Sequence, residues 1–430
     1  MKKEIKLTVG KLLFILLIML VFNVVSSQAT TNYAISANKI EYTDNLAEYF
    51  AKEYGSKPRP GLQNGEIDER GFWVRQANYL TTPFGDKDGE FKADKDRYII
   101  YWSPGCNWSN RPVIARDILG LHDVILDYKV SHTGESNKYG WGFPEEPLFK
   151  DKYTGVHFLS DLYLNVDPDF KGRATTPTLA DYKEKKAVNN DYHRLTNYLE
   201  VQFRKFQPKD APDLYPVKYR KEIDEFNDWL FPNINDGHYR QAFAQSPEGY
   251  KDGQKAFHEA LEKLDKRLET NRFLFGDYIT DSDIRAYVSL VKWETDFYVN
   301  VGPQKKRVSE YKNVWEYVKE LYSIPEFKRY TNIPQNDKSL ETKVFGTYLP
   351  RIAAKIDWDI ELKTDHKRKE LSSDPENIYL RHPNGETVED YQTEISKTIW
   401  NDPRQEVRAN KDFKLEVDAS INPLKGLLKN

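Results

Sequence analysis

The chain is 430 residues long, with 64 lysine and arginine residues against 67 aspartate and glutamate residues and a formal net charge of −3. This length is enough for two domains with separate hydrophobic cores. The near balance of charge, without a basic stripe, argues against a nucleic-acid partner, and an aromatic content of 14% argues against a disordered chain.

The N-terminal segment has the pattern of an export signal. Four lysines lie within the first eleven residues, an apolar run follows at 12–25, and Ser27-Gln28-Ala29 offers small residues for cleavage. We therefore predict a signal peptide over residues 1–29 and a secreted or cell-envelope location, with membrane contact only through this segment. The apolar run is shorter than the ~20 residues of a membrane span. An uncleaved anchor is the alternative, and without a functional signal the protein would be cytoplasmic.

Composition divides the rest of the chain into further parts. Residues 30–95 are turn-rich and lack sustained periodicity, which predicts an N-terminal arm packed on the body of the protein. Residues 96–207 and 217–364 are predicted to form two domains, because the proline-rich stretch between them has no periodicity. From 365 to 430 the chain is polar and weakly periodic, which predicts a C-terminal extension that wraps the surface.

The first predicted domain opens with a strand, a helix and a second strand. The strand is expected at 97–102, the helix at 111–119 with Gly120 just beyond its end, and the second strand at 123–128. So short a strand–helix–strand unit predicts a parallel pair of strands. After an insertion-like stretch at 131–169, the remaining predicted elements are a strand ending at Leu179, a hairpin partner at 187–188 and a helix from about 191 to 206.

The second predicted domain is helical throughout. Spaced apolar residues predict its helices at 222–231, 253–270, 282–298 and 314–322. Asp283 stands at the start of one of them, where we expect it to cap the first turn and to have no catalytic role.

Cys106, the only cysteine, lies where the first predicted strand gives way to a helix. Unpaired N–H groups and the positive end of the dipole at a helix start stabilise a thiolate. A lone cysteine is otherwise an inert, buried hydrophobe. Its polar and aromatic neighbours favour the reactive interpretation. The sequence lacks His-Glu-x-x-His, Cys-x-x-Cys, a glycine-rich phosphate loop and Gly-x-Ser-x-Gly, so no metal site is predicted.

Five segments, in order, resemble motifs of the Xi-class glutathione transferases, the glutathionyl-hydroquinone reductases. Gly105-Cys106-Asn107-Trp108-Ser109-Asn110-Arg111 resembles that family's Ala-Cys-Pro-Trp-Ala-His-Arg. Similar segments follow at 167–179, 188–192, 235–244 and 279–285, the last with Phe297-Tyr298-Val299. The chain departs from the family pattern at Asn107, Asn110 and Tyr192, and Pro112 is an added proline inside the expected helix.

The resemblance implies an α/β plus all-α fold, in which an N-terminal thioredoxin-like domain is followed by a helical glutathione-transferase C-terminal domain. It implies a glutathione-dependent thiol transferase or reductase that acts on glutathionyl-hydroquinone-type aromatic conjugates. Cys106 would form a mixed disulfide with glutathione, the co-substrate. Tyr239 and Tyr298 would lie over the aromatic substrate as phenolic donors. The oligomeric state is left open, with a homodimer among the alternatives.

The glutathione-binding residues are also assigned by resemblance. Thr176-Pro177 would be a cis peptide that turns the Thr176 backbone towards glutathione. The cysteine of glutathione would then pair with this backbone as an added strand does. Asp191 and Tyr192 would begin a helix whose N–H groups hold the γ-glutamyl carboxylate. Trp108 and Trp141 would form walls for a flat substrate, although core packing is the alternative for Trp141.

Two other functions stay open from the residues alone. The altered neighbours of Cys106 favour a catalytically weakened protein of the same fold that binds an apolar or aromatic ligand at the cell envelope. A transferase in which Ser103 or Ser109 orients glutathione is the third hypothesis.

Overall fold

The protein is represented by a computed structural model, which describes residues 66, 68, 70–76, 78–132, 140–170, 172–244, 246–297, 306–333, 341–344, 347–350, 358–383 and 386–388. Its strands are β1 (Tyr98–Trp102), β2 (Ile125–Lys129), β3 (Ser131–His132), β4 (Trp141–Gly142), β5 (Thr178–Asp181), β6 (Lys186–Asn189), β7 (Glu341–Val344) and β8 (Thr347–Pro350). Its helices are α1 (Asn107–Ile118), α2 (Leu159–Leu164), α3 (Leu195–Val201), α4 (Arg220–Leu230), α5 (Gly237–Ala242), α6 (Pro247–Arg267), α7 (Asp281–Thr295), α8 (Lys312–Tyr322), α9 (Pro325–Arg329) and α10 (Trp358–Glu361).

The first domain is built on a four-stranded mixed sheet with the order β2-β1-β5-β6. β1 runs parallel to β2 and antiparallel to β5, and β5 is antiparallel to β6. All five residues of β1 are buried, which is expected of a central strand covered on both faces. The parallel pair joined by α1 and the hairpin that follows confirm the predicted thioredoxin-like domain, and helices α4 to α9 confirm the helical domain after it.

The two faces of the sheet pack against different cores. Ile100 and Leu179 belong to the larger core, which includes α1 and continues into the helical domain. Ile99 and Tyr101 belong to a smaller core that includes Leu159 of α2. The alternation of side chains along a strand causes this division, since neighbouring residues point to opposite faces.

Helix α1 begins four residues earlier than predicted and contains Pro112. The carbonyl of Cys106 accepts the N–H groups of Ser109 and Asn110, both at 3.1 Å, so the first turn closes before the proline. Pro112 removes only one bond of the helix, that to the carbonyl of Trp108. The end was predicted correctly, because Gly120 has a φ of +66° and a Cβ there would lie 2.7 Å from the side chain of Pro208.

The second domain contains elements that the four predicted helices do not include. A hairpin, β7–β8, lies inside the range 217–364, so that range is not wholly helical. Asp283 caps α7 as expected: its carboxylate accepts the N–H of Thr280 at 2.8 Å and the N–H of Leu274 at 2.8 Å.

The described part of the C-terminal extension packs against the helical domain. Arg368, which is 1% exposed, donates to the carbonyls of Leu268 at 2.7 Å and Arg272 at 2.8 Å, just beyond the end of α6. Within the described part of the chain, no helix combines the length and the apolar character needed to cross a bilayer. The predicted signal peptide at 1–29 lies outside the described residues.

Candidate functional site

Cys106 occupies the N-cap position of α1 and is 8% exposed. Its thiol donates to the carbonyl oxygen of Thr176 at a sulfur–oxygen distance of 3.5 Å. The Thr176-Pro177 peptide is cis, as the resemblance implied. The helix start and the loop before β5 therefore meet at the sulfur atom.

Four aromatic side chains pack with Cys106, and we call them the ring cluster: Trp108, Tyr192, Phe231 and Tyr239. The rings of Trp108 and Tyr192 stack with centroids 4.8 Å apart, and Tyr239 lies 4.9 Å from Trp108. The indole N–H of Trp108 donates to the carbonyl of Asn235 at 2.9 Å, which orients its ring. Stacked rings can bind a flat ligand next to the thiol through dispersion and ring electrostatics.

Tyr239, on α5, is the partly exposed member of the ring cluster. Burial raises the pKa of its phenol well above the ordinary value, the sulfur of Cys106 and the carboxylate of Asp236 raise it further, and Arg75 opposes them. The phenol consequently carries its proton at neutral pH and can donate it. Tyr298, the other predicted catalytic tyrosine, lies outside the described residues.

The predicted helix start at Asp191 is instead a turn, because α3 begins at Leu195. The N–H of Asp191 donates to the side chain of Asn189 at 2.9 Å, and the carboxylate of Asp191 accepts the N–H of His193 at 3.0 Å. These two N–H groups are thus committed to side chains of the turn itself. Burial raises the pKa of the Asp191 carboxyl, although Arg194 works in the opposite direction.

Tyr192 and Trp141 lie in different surroundings. Tyr192 is 1% exposed, so its ring is part of the packed cluster and not a rim residue. Trp141, in β4, packs against the smaller core on the other face of the sheet, with Tyr101 and Leu159 among the members of that core. The structure thus brings together all the predicted site residues that it describes except Trp141.

The N-terminal arm supplies site residues that the sequence analysis missed. Its Trp73 stacks on Tyr239 with centroids 5.9 Å apart and donates its indole N–H to Asp236 at 3.1 Å. Its Arg75 lies over the ring of Trp108, 4.7 Å from the centroid. Phe72-Trp73-Val74, a buried apolar run within a polar arm, was the signal that could have indicated this contact.

The arm also contacts the glutathione-binding segments that the resemblance assigned. Asn78 donates to the carboxylate of Asp191 at 3.0 Å. The N–H of Leu80 donates to the side chain of Asn190 at 2.8 Å. One guanidinium nitrogen of Arg173 donates to both carboxylate oxygens of Glu66, at 2.9 and 3.0 Å.

Asn107 and Asn110, near Cys106, differ from the family pattern, and both side chains form hydrogen bonds within the protein. Asn107 donates its amide to the hydroxyl of Ser289 on α7 at 3.0 Å, which joins the two domains behind the thiol. Asn110 donates to the carbonyl of Ser103 at 3.3 Å. The hydroxyl of Ser109 bonds to the carbonyls of Ser103 and Cys106, so it is engaged in the helix start. Among the described residues, no group of three or more His, Cys, Asp or Glu could hold a metal ion.

Comparison with known proteins identifies relatives of both domains. Residues 247–320 match the family model described as glutathione S-transferase, C-terminal domain. The chain is 32% identical over 259 residues to the glutathionyl-hydroquinone reductase YqjG of Escherichia coli, covering 58% of this chain and 76% of that protein. It is 30% identical over 241 residues to the glutathionyl-hydroquinone reductase PcpF of Sphingobium chlorophenolicum, covering 56% and 76%.

Solved structures agree with these relatives. The glutathione-bound structure of YqjG from Escherichia coli superposes with a TM-score of 0.57 at 29% identity, covering 70% of this chain and 98% of that one. The glutathione S-transferase Xi of Phanerochaete chrysosporium superposes with a TM-score of 0.59 at 30% identity, covering 64% and 90%.

Proposed function

Because the chain belongs to the family of Xi-class glutathione transferases and glutathionyl-hydroquinone reductases, we propose that it reduces glutathionyl-hydroquinone-type aromatic conjugates through Cys106. The observation that carries the proposal is that Cys106 contacts both the carbonyl of Thr176 and the ring cluster. The peptide half of such a conjugate would meet the Thr176 backbone, and its aromatic half would meet the ring cluster.

The proposed reaction has two steps. In the first, the thiolate of Cys106 attacks the glutathione sulfur of the conjugate, so that a sulfur–sulfur bond forms and the bond from sulfur to the ring carbon breaks. The electron pair leaves with the ring carbon, which takes a proton from the phenol of Tyr239. In the second step, a second glutathione returns its thiol proton to the Tyr239 phenolate and attacks the mixed disulfide with its sulfur, which releases oxidised glutathione and restores the Cys106 thiolate.

Glutathione itself would lie along the loop before β5. The backbone of Thr176 would pair with the cysteinyl part of the tripeptide as an added strand does. Asp191 supplies a buried carboxylate for the α-ammonium group, in place of the N–H donors expected from the sequence, which are committed to the turn. The ammonium would displace or join the amide of Asn78, which now donates to the same carboxylate.

The second candidate is a protein of this fold that binds an aromatic ligand without efficient turnover. The burial of Cys106 favours it, since only 8% of the residue is exposed and four rings pack around it. A buried thiol is harder for a conjugate to reach than one at an open helix start.

Turnover of a glutathionyl-hydroquinone conjugate separates the two candidates. With reduced glutathione present, the proposal expects one hydroquinone and one oxidised glutathione for each conjugate consumed, with activity abolished in Cys106→Ser. Ser103→Ala is the matched control and is expected to keep activity. Saturable binding of the conjugate without any product would favour the ligand-binding protein.

We also propose that the protein is exported through its N-terminal segment. The lysines before residue 12 and the apolar run at 12–25 support this location. Expression of the full chain in a bacterial host, followed by N-terminal sequencing of the protein outside the cytoplasm, tests it. A mature N-terminus near Thr30 is expected, and a chain that stays in the cytoplasm with Met1 intact contradicts it.

A further inference from the structure

Arg75 places a buried positive charge on the ring cluster. Its guanidinium carbon lies 4.7 Å from the ring centroid of Trp108 and 5.7 Å from that of Tyr192, and the residue is 7% exposed. The arm, and neither of the two folded domains, brings this cation to the site. A cation over aromatic faces is attracted by the ring quadrupole, but removing it from water needs a compensating charge.

Compensation by neighbouring carboxylates is incomplete. Glu66 accepts from Arg75 at 2.7 Å, and the same carboxylate pairs with Arg173 at 2.9 Å, so one negative charge serves two guanidinium groups. Burial lowers the pKa of Arg173 and the neighbouring Arg75 lowers it further, which is the expected effect of crowded positive charge. Although burial opposes it, Glu66, Tyr192 and Asp236 raise the pKa of Arg75, so its guanidinium stays charged while it shares the Glu66 carboxylate with Arg173.

Asp236 supplies only part of a second negative charge. Burial raises the pKa of its carboxyl to about 7, although Arg75 and Arg240 act against this rise. Near neutral pH the carboxyl is therefore protonated in a large fraction of molecules. Arg240 also pairs with Asp252.

One donor of Arg75 is also unused. Its Nε atom is buried and meets no hydrogen-bond acceptor among the residues that the structure describes. A buried donor without a partner has lost its hydrogen bond to water without gaining another, so such groups are rare in folded proteins. An incoming oxygen anion would accept from this N–H in a charge-assisted hydrogen bond.

We propose that Arg75 determines substrate choice by selecting aromatic rings that carry an acidic oxygen group, a carboxylate or an equally acidic hydroxyl. The inference rests on the proposed function, because it places the aromatic half of the conjugate on the ring cluster beside Cys106. The ring would stack with Tyr239 or Trp73, and its anionic oxygen would accept from Arg75.

A purely structural role for Arg75 makes different predictions. In that case the guanidinium only holds the arm to the body, over the ring of Trp108 and through Glu66, which pairs with Arg173 of the body. Its loss would then weaken the binding of all ligands equally. If Arg75 selects anions, replacing it should weaken the binding of charged rings alone. The test therefore compares two ligands of the same ring size that differ in charge.

Calorimetric titration of the full chain with 2,5-dihydroxybenzoate and with the neutral 2,5-dihydroxybenzamide tests the inference. The unmodified protein is expected to bind the carboxylate about 10- to 100-fold more tightly, as a charge-assisted hydrogen bond of about 1.5–3 kcal/mol implies. Arg75→Gln should abolish this preference and leave the affinity for the amide within about threefold. Arg70→Gln, at an exposed arginine of the same arm, should keep the preference.

Equal affinity for the two ligands in the unmodified protein overturns the inference, as does a preserved preference in Arg75→Gln. If that variant does not fold, Arg75→Lys decides: it keeps a charge but lacks Nε, so a partial loss of the preference is expected and an unchanged preference contradicts the role of Nε. Failure of the proposed function is distinguishable, because it appears as absent turnover of the conjugate whatever the ligand preference is.

Discussion

The thiol of Cys106 lies 3.5 Å from the carbonyl oxygen of Thr176, so the helix start and the loop before β5 converge on one atom. The ring cluster packs against the same cysteine. Backbone hydrogen-bonding groups and stacked rings next to one thiol match a ligand that is half peptide and half aromatic.

Replacing Tyr239 by Phe should affect one half of the reaction only. Removal of a general acid typically costs about 10²- to 10⁴-fold in rate, so turnover of the conjugate should fall by about that factor. Formation of the mixed disulfide from oxidised glutathione needs no proton at carbon and should continue at the unmodified rate. Tyr79→Phe, at an exposed tyrosine, is the control. Equal losses in both reactions would show that Tyr239 shapes the site and does not donate the proton.

Ser289→Ala should destabilise the contact between the domains behind Cys106. Its hydroxyl accepts the amides of Asn107 at 3.0 Å and Asn235 at 2.8 Å. Loss of a buried acceptor costs about 1–3 kcal/mol, which denaturant unfolding measures. Because Asn107→Ala removes one of the same bonds, the double variant should cost less than the sum of the two single variants. Strict additivity would contradict the contact.

Asp236→Asn should change how stability depends on pH. The folded pKa of about 7 lies above the ordinary value of 3.8, so the folded protein holds this proton more tightly. Its contribution to stability is complete below about pH 4 and is lost as the pH rises through 7. Relative to the unmodified protein, the variant should therefore gain about 2–4 kcal/mol in free energy of unfolding between pH 4 and 8. Asp88→Asn, at an exposed position, should give no such difference, and a gain at low pH would contradict the assignment.

Arg368→Ala should weaken the end of α6. Three carbonyls there, those of Leu268, Asn271 and Arg272, accept from this one guanidinium. Leaving them without a donor should cost about 2–4 kcal/mol in the free energy of unfolding and expose the segment after 365 to proteolysis. Lys369→Ala, next to it and paired only on the surface with Glu376, should cost much less.

Local patterns predicted the elements of the fold better than the limits of the helices. The apolar run at 97–102 and the glycine at 120 correctly indicated a central strand and a helix end, because each depends on near neighbours. The start of α1 was predicted too late, since the bonds from Ser109 and Asn110 to the carbonyl of Cys106 that close its first turn are not visible in the sequence. At Asp191 an Asx-type turn formed where a helix cap was expected.

The long-range parts of the site could not be predicted from the pattern of residues. Trp141 and Trp108 both looked like walls for a ligand, but the sheet places Trp141 against the opposite core. Trp73 and Arg75 reach the ring cluster from a segment without regular structure, and only tertiary packing determines where such a segment lies. The resemblance supplied the order of the motifs, while the structure supplied the contacts of the arm with the ring cluster.

The most direct test of the account is the intact mass of the protein after brief reaction with a glutathionyl-hydroquinone conjugate in the absence of free glutathione, quenched in acid. The account predicts a mass increase of one glutathione, carried by Cys106, lost in Cys106→Ser and removed by added glutathione. No adduct on the unmodified protein, or an adduct that persists in Cys106→Ser, would contradict it.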